Sequence, residues 1–349
     1  MRHKNLAVLD RITLGELERV LNAHTLKRIP VDEYTDFSWS ISRHTTFEEC
    51  RRRYYLHYYA SRRVREAGDE LVSAIWWLKQ LTNLPLWIGS LVHDVAAAAL
   101  RAHRAGKFIS TDLLRAEALT DYQAGIRASS RGAKHYPTIG GRQDKRGSWV
   151  VLFEHIYGAE DFDAQIAEGE RRLAGLVDAL FASAAYDRIM SLPPAALAEI
   201  DRPFQSYPYG PLPGIGIVRM FAIPDVLLAH DGRITIYDWK TGGVEYDHIR
   251  LQAGVYRLYA HLQYGLPEDA IDVLIADLNG GGVSVNPPGG VPSLQEARAL
   301  VESSMLTMIE QMDDQQYNTV AVASSPLTQD LSLCCYCAFK RACWREDVC

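Results

Sequence analysis

The chain has 349 residues, 48% hydrophobic and 23% charged, with a formal net charge of −6. This is globular composition with ample length for a sizeable core, which excludes a disordered or fibrous chain, and the acidic balance excludes a wholesale basic nucleic-acid binder, although a basic channel can sit on an acidic protein. No apolar run reaches about 18 residues, so no transmembrane helix is expected. The opening MRHKNLAVLDRITL breaks its apolar run at Asp10 and does not read as a signal peptide. A cytoplasmic setting follows as the expectation, disulfides are disfavoured there, and the six cysteines need another account.

Residues 1–88 read as an N-terminal helical region with a helix around Leu14–His24. Ser42 or Thr45 can cap a helix carrying Phe47, Cys50, Tyr54 and His57 or Tyr58 along one stripe. Seven arginines fall between positions 43 and 65, interleaved with tyrosines. Arg43, Arg51, Arg52, Arg53, Tyr54 and Tyr55 are candidates to pair with phosphates and stack on bases. The alternative is a solvated helix face with structural tyrosines. Residues 89–105 carry Gly89 and His93 four apart on one helix face. The glycine permits close backbone approach, and the histidine can offer a neutral nitrogen to a metal. Residues 106–195 read as a helical insertion with helices over Asp112–Ser129 and Asp161–Ile189, joined through a basic, Gly-rich loop at 131–148.

Residues 196–320 hold the alternating strand and helix patterns. A strand is expected over Ala196–Phe204, placing Glu199 either near a site or on the surface. A Pro-Gly segment at 207–216 leads into strands at 217–229 and 233–239. Asp231-Gly232 between the last two is a two-residue hairpin signal. With that turn Asp225 faces Asp238, about 5 Å apart at Cβ, and Lys240 points to the same side two residues on. Two close carboxylates repel each other unless a cation intervenes, and hard oxygen ligands suit Mg²⁺ or Mn²⁺. The bland alternative is a surface hairpin bridged by Lys240. A helix over Glu245–Gln263 then sets Gln252 and Tyr256 as i, i+4 neighbours, and strands follow at 271–277 and 283–285.

Residues 321–349 form a cysteine-rich tail, in which Cys334, Cys337 and Cys343 read C-x2-C-x5-C. Three thiolates need a distant fourth, and Cys50 is the only cysteine outside the tail. Four thiolates suit an iron–sulfur cluster or structural zinc, and spacing does not choose between them. Cys335 and Cys349 are left over, and either can substitute.

Pro224-Asp225 followed by Asp238-Trp239-Lys240 resembles the signature of the PD-(D/E)XK nuclease superfamily. Gly89-x3-His93 and Gln252-x3-Tyr256 resemble the accessory motifs of its RecB-like branch, which includes CRISPR-adaptation exonucleases. The resemblance implies an α/β fold: an αβββαβ core with a mixed central sheet flanked by helices, a large helical insertion, and a tail tied by a cluster. It implies Mg²⁺ or Mn²⁺ on His93, Asp225, Asp238 and the Trp239 carbonyl, with Lys240, Gln252 and Tyr256 completing a catalytic site. It also implies a [4Fe–4S] cluster on Cys50, Cys334, Cys337 and Cys343, the choice of Cys334 over Cys335 resting on the family spacing. The expected activity is cleavage of DNA, single-stranded or end-frayed, by an exonuclease or endonuclease of repair, CRISPR adaptation or phage defence. The helical insertion is expected to take a protein partner or to gate the substrate, and no membrane is involved. Two alternatives stand beside it: a nuclease-fold DNA-binding or assembly module with weak or no cleavage, and a zinc-stapled interaction protein.

Overall fold

The computed structural model describes residues 6–29, 36–62, 68–130, 150–202, 206–243, 246–280, 283–285, 287 and 289–348. The basic stretch 131–148 and Cys349, both singled out in the sequence, lie outside the described residues. The helices are α1 (Leu14–Thr25), α2 (Ile41–Glu49), α3 (Arg51–Tyr55), α4 (Glu70–Lys79), α5 (Leu84–Arg104) and α6 (Thr111–Ser130). They continue with α7 (Phe153–Tyr157), α8 (Phe162–Phe181), α9 (Ala184–Met190), α10 (Tyr246–Tyr264) and α11 (Leu294–Glu310). The strands are β1 (Ser38–Ser40), β2 (Leu197–Ile200), β3 (Tyr207–Leu212) and β4 (Gly216–Phe221). After them come β5 (Val226–His230), β6 (Arg233–Lys240), β7 (Ile271–Asp277) and β8 (Val283–Val285). Two compact units result: one from residues 85–123 and 163–303, the other from 1–84, 124–162 and 304–349.

The first unit is built on a five-stranded sheet of order β2-β5-β6-β7-β8. β2, β5 and β6 are antiparallel neighbours, while β6 and β7 run parallel and are joined through α10. With α5 ahead of β2, the sheet follows the expected αβββαβ order. Asp231 and Gly232 both take positive φ, 49° and 73°, the type I′ geometry whose twist matches that of the flanking strands. The register therefore runs from His230 opposite Arg233 to Val226 opposite Tyr237. Val226, Leu227, Leu228, Ile236, Val273 and Ile275 are all buried, the near-continuous apolar pattern of strands covered on both faces. α10 packs on β7 and buries Ala253, Val255 and Leu258.

Two strand expectations change. The run at 217–229 is not one strand. It ends at Phe221 and resumes at Val226, because Pro224 has no N–H for a central ladder. The Pro-Gly segment at 207–216 is not a plain lead-in either, since Tyr207–Leu212 pairs antiparallel with β4 as an inserted hairpin. In the expected helical insertion, the helix over Asp161–Ile189 divides at Ala182, where Ser183 accepts from the Tyr186 N–H at 3.1 Å and starts α9.

The second unit is mainly helical. Thr13 and Glu16 form a capping box on α1, which buries Leu17 and Leu21. Ser40, rather than Ser42 or Thr45, caps α2. The single helix expected through Cys50 is broken there. Cys50 is extended (φ −159°, ψ 110°), and its sulfur accepts from the Arg53 N–H at 3.4 Å, so that the residue ends α2 and caps α3. A π-helical turn, Leu56–Ala60, follows. No described helix is long and apolar enough to cross a membrane.

Candidate functional site

The end of the β5–β6 hairpin gathers polar side chains in the sheet unit. Strand alternation puts Asp238 and Lys240 on one side of β6 and drives Trp239, 1% exposed, into the opposite face. Asp225, one residue ahead of β5, receives a 2.7 Å hydrogen bond at Oδ2 from the Trp239 backbone N–H. Its Oδ1 lies 2.8 Å from His93 Nδ1 on α5. Lys240 Nζ stands 2.6 Å from Asp238 Oδ2 and donates to Gln252 Oε1, also at 2.6 Å. Gln252 Nε2 donates to Asp238 Oδ1 at 3.1 Å and to the Tyr256 hydroxyl at 2.9 Å. That hydroxyl has one proton to give, to Asp238 Oδ1 at 3.1 Å or to the Ile223 carbonyl at 3.0 Å.

Charge explains the closure of this ring. Asp238 is 3% exposed, and burial, then the Asp225 charge, raise its pKa, with Lys240 and His93 pulling the other way. Burial pushes the His93 imidazole down, but Asp225, by charge and hydrogen bond, and Asp238 outweigh it and raise the value to about 9. Two carboxylates thus face an ammonium and an imidazolium. Gly89 permits the approach of α5: a Cβ there would stand 2.9 Å from Thr241 Oγ1, just past Lys240. Arg172 of α8 holds the same turn by donating to the Thr241 carbonyl at 2.8 Å. Nothing in the sequence marked Arg172, which acts on a backbone oxygen from far along the chain.

Among the described residues no group of three or more His, Cys, Asp and Glu side chains is gathered as a metal cage. The site's acceptors are taken by its own cations and amides instead. Asp238 Oδ2 is buried, and its close neighbour is the Lys240 ammonium at 2.6 Å. A hard cation fits such an oxygen and the carboxylate facing it. Glu199 does not join this group. It is 4% exposed and held by the Tyr259 hydroxyl at 2.7 Å and the Tyr264 hydroxyl at 2.6 Å.

In the helical unit, Cys50, Cys334, Cys337 and Cys343 are free thiols lining one recess with Arg53, Lys340 and Arg345. Arg345 donates to Cys334 Sγ at 3.4 Å. Burial raises the Cys337 thiol to about 11, and Cys343 shifts the same way. The donor chemistry and the cationic lining suit an anionic four-thiolate centre.

Of the expected arginine–tyrosine interface, Tyr54, Tyr55 and Arg52 turn inward. Tyr54 and Tyr55 are 1% and 0% exposed and have no face to offer a base. Arg52 is buried, spent on the Ser325 carbonyl and on Glu18, both at 2.8 Å. Arg51 lies over the Phe47 ring and pairs with Glu48, and Arg53 pairs with Glu49. Their apolar stripe shares one helical turn with the cations, and composition cannot separate inward from outward residues across the break at Cys50.

A model of the PD-(D/E)XK nuclease superfamily matches residues 38–344. The chain belongs to that superfamily, whose members are typically nucleases, hydrolases of nucleic acid that use divalent metals such as Mg²⁺ or Mn²⁺. No curated protein and no solved structure matches it significantly.

Proposed function

We propose that this chain is a metal-dependent deoxyribonuclease that hydrolyses phosphodiester bonds, with a preference for single-stranded or frayed DNA ends. The observation that carries the reading is the Asp225–Asp238 pair across a type I′ hairpin, closed by His93, Lys240, Gln252 and Tyr256. Asp225, Asp238 and His93 would hold Mg²⁺ or Mn²⁺, with the Trp239 carbonyl as a further ligand. When bound, the metal polarises the phosphodiester and lowers the pKa of the attacking water. For His93 to serve as a ligand its ring must shed one proton. Lys240 orients that water and offsets charge developing on phosphoryl oxygens. Gln252 keeps the Lys240 ammonium beside Asp238, and Tyr256 fixes the Asp238 carboxylate against α10.

The test is cleavage of end-labelled single- and double-stranded DNA with and without Mg²⁺ or Mn²⁺, beside RNA and a circular single strand. Metal-dependent cutting that falls about 100-fold or more in Lys240→Ala is the expected result. Sparing of the circle identifies an exonuclease, and the product ladder gives its polarity. Folded wild-type protein that cuts nothing under any of these conditions overturns the reading in favour of a DNA-binding or assembly module.

We also propose a second metal centre on Cys50, Cys334, Cys337 and Cys343, which line one recess, read as a [4Fe–4S] cluster that would fix the tail to the segment around Cys50. Anaerobically purified protein should be brown and carry iron and sulfide. A colourless, zinc-loaded sample would replace the cluster with structural zinc. The helical insertion at 106–195 is the proposed surface for a protein partner.

A further inference from the structure

In the helical unit two cations share one aromatic ring. The Arg43 guanidinium lies 4.4 Å from the Tyr58 ring centroid, and the Lys79 ammonium lies 5.8 Å from it. Among the described residues neither has an acidic partner, and the hydrogen bond from Arg43 goes to the Ser38 carbonyl at 2.8 Å. Arg62 lies over the adjacent Tyr59 ring at 4.0 Å, adding to the same field. Burial holds the Lys79 amine down to about 8, and Arg43 and Arg62 push it the same way. His57 feels the same charges: burial, then Lys79, Arg53 and Arg43, lower its imidazole to about 3.

Gathered like charges cost free energy that a bound anion recovers. The ring itself is crowded: besides Arg43 it has His57 at 4.4 Å and Tyr54 at 5.1 Å, leaving little room for a base. Tyr58 acts instead as the platform that spaces the cations. It stands on the π-helical turn Leu56–Ala60, a distortion that is frequent at functional sites. Arg43, Tyr58 and Lys79 each keep part of their surface exposed.

We infer that Arg43 and Lys79, spaced by Tyr58, form a binding site for a backbone phosphate of the nucleic-acid strand. Lys79 carried no signal in the sequence, since it ends a helix of apolar and Trp residues far from the arginine run. The identity of the anion rests on the nuclease reading above.

The experiment uses full-length protein in EDTA, so that binding is read without cutting, and a fluorescein-labelled oligothymidylate followed by anisotropy through a salt series. Arg43→Gln and Lys79→Gln should each weaken binding about 3- to 10-fold and flatten the slope of log K against log salt by about 0.7, the value of one lost single-strand phosphate contact. Lys79→Arg should keep the wild-type slope. Without any substitution, the oligonucleotide should slow acetylation of Lys79, read by mass spectrometry, at least about 3-fold. Folded variants with the wild-type affinity and slope, or a Lys79 that the strand leaves unprotected, overturn the site. If wild-type protein with metal cuts nothing while these binding effects persist, the nuclease reading falls and the phosphate site stands.

Discussion

His57 shows how one side chain sets a condition for the fold. Its ring meets Phe339 edge-on at 6.2 Å inside the helical unit, and it is held neutral with a value near 3 against an ordinary 6.5. The unfolded chain takes up that proton first, so this contribution is complete above pH 6.5 and is lost as pH falls toward 3. The slope cannot exceed about 1.4 kcal/mol per pH unit for one proton. Denaturant melts at pH 6.5 and 4.5 should show wild-type stability falling by about 2 kcal/mol more than that of His57→Phe, which keeps the ring and removes the titration. Equal losses in the two proteins would show that other groups carry the acid sensitivity. Lys79 does not confuse the comparison, because with a value near 8 it is charged throughout that range.

At the scale of elements, close helix packing is set by glycines. Gly169 of α8 is the sharper case: a Cβ there would collide with the hydroxyl of Tyr122 on α6, a fully buried ring whose hydroxyl donates to the Ile166 carbonyl at 2.8 Å. Helix propensity favours Gly169→Ala by about 1 kcal/mol, whereas overpacking a tight contact costs about 1–3 kcal/mol. Packing decides the sign, so Gly169→Ala should lower the unfolding midpoint, and Tyr122→Phe in the same chain should recover part of the loss. A raised midpoint in the single variant would show that the Tyr122 ring moves freely. The elements also show where the sequence was informative. Asp231-Gly232 fixed a register, and with it the meeting of Asp225 and Asp238, because a two-residue turn leaves no freedom in pairing. Gln252 and Tyr256 followed from helical spacing. The helix through Cys50 misled because its apolar stripe continues across a residue that leaves the helix to cap the next. Tyr54 and Tyr55 then turn inward, and Arg43 is left to share Tyr58 with Lys79, a pairing that depends on tertiary packing alone.

At the scale of the whole molecule, αβββαβ order was legible because strand and helix periods alternate clearly after residue 196, whereas the β3–β4 hairpin hid behind its prolines and glycines. The division into two units was not legible at all, since each is assembled from separated stretches of chain. The family match over residues 38–344 spans segments of both.

The three-part make-up of the helical unit has a consequence for synthesis. Cys50 leaves the ribosome roughly 280 residues before the tail that supplies its companions, a delay of about 15–60 s at ordinary elongation rates. Throughout that interval the sheet unit can complete residues 163–303 and settle, while the Cys50 thiol waits without the other three. A centre that needed all four thiols would therefore have to wait for the tail, and until then the nascent chain meets the cell's oxidants with one cysteine that its own fold cannot yet shelter.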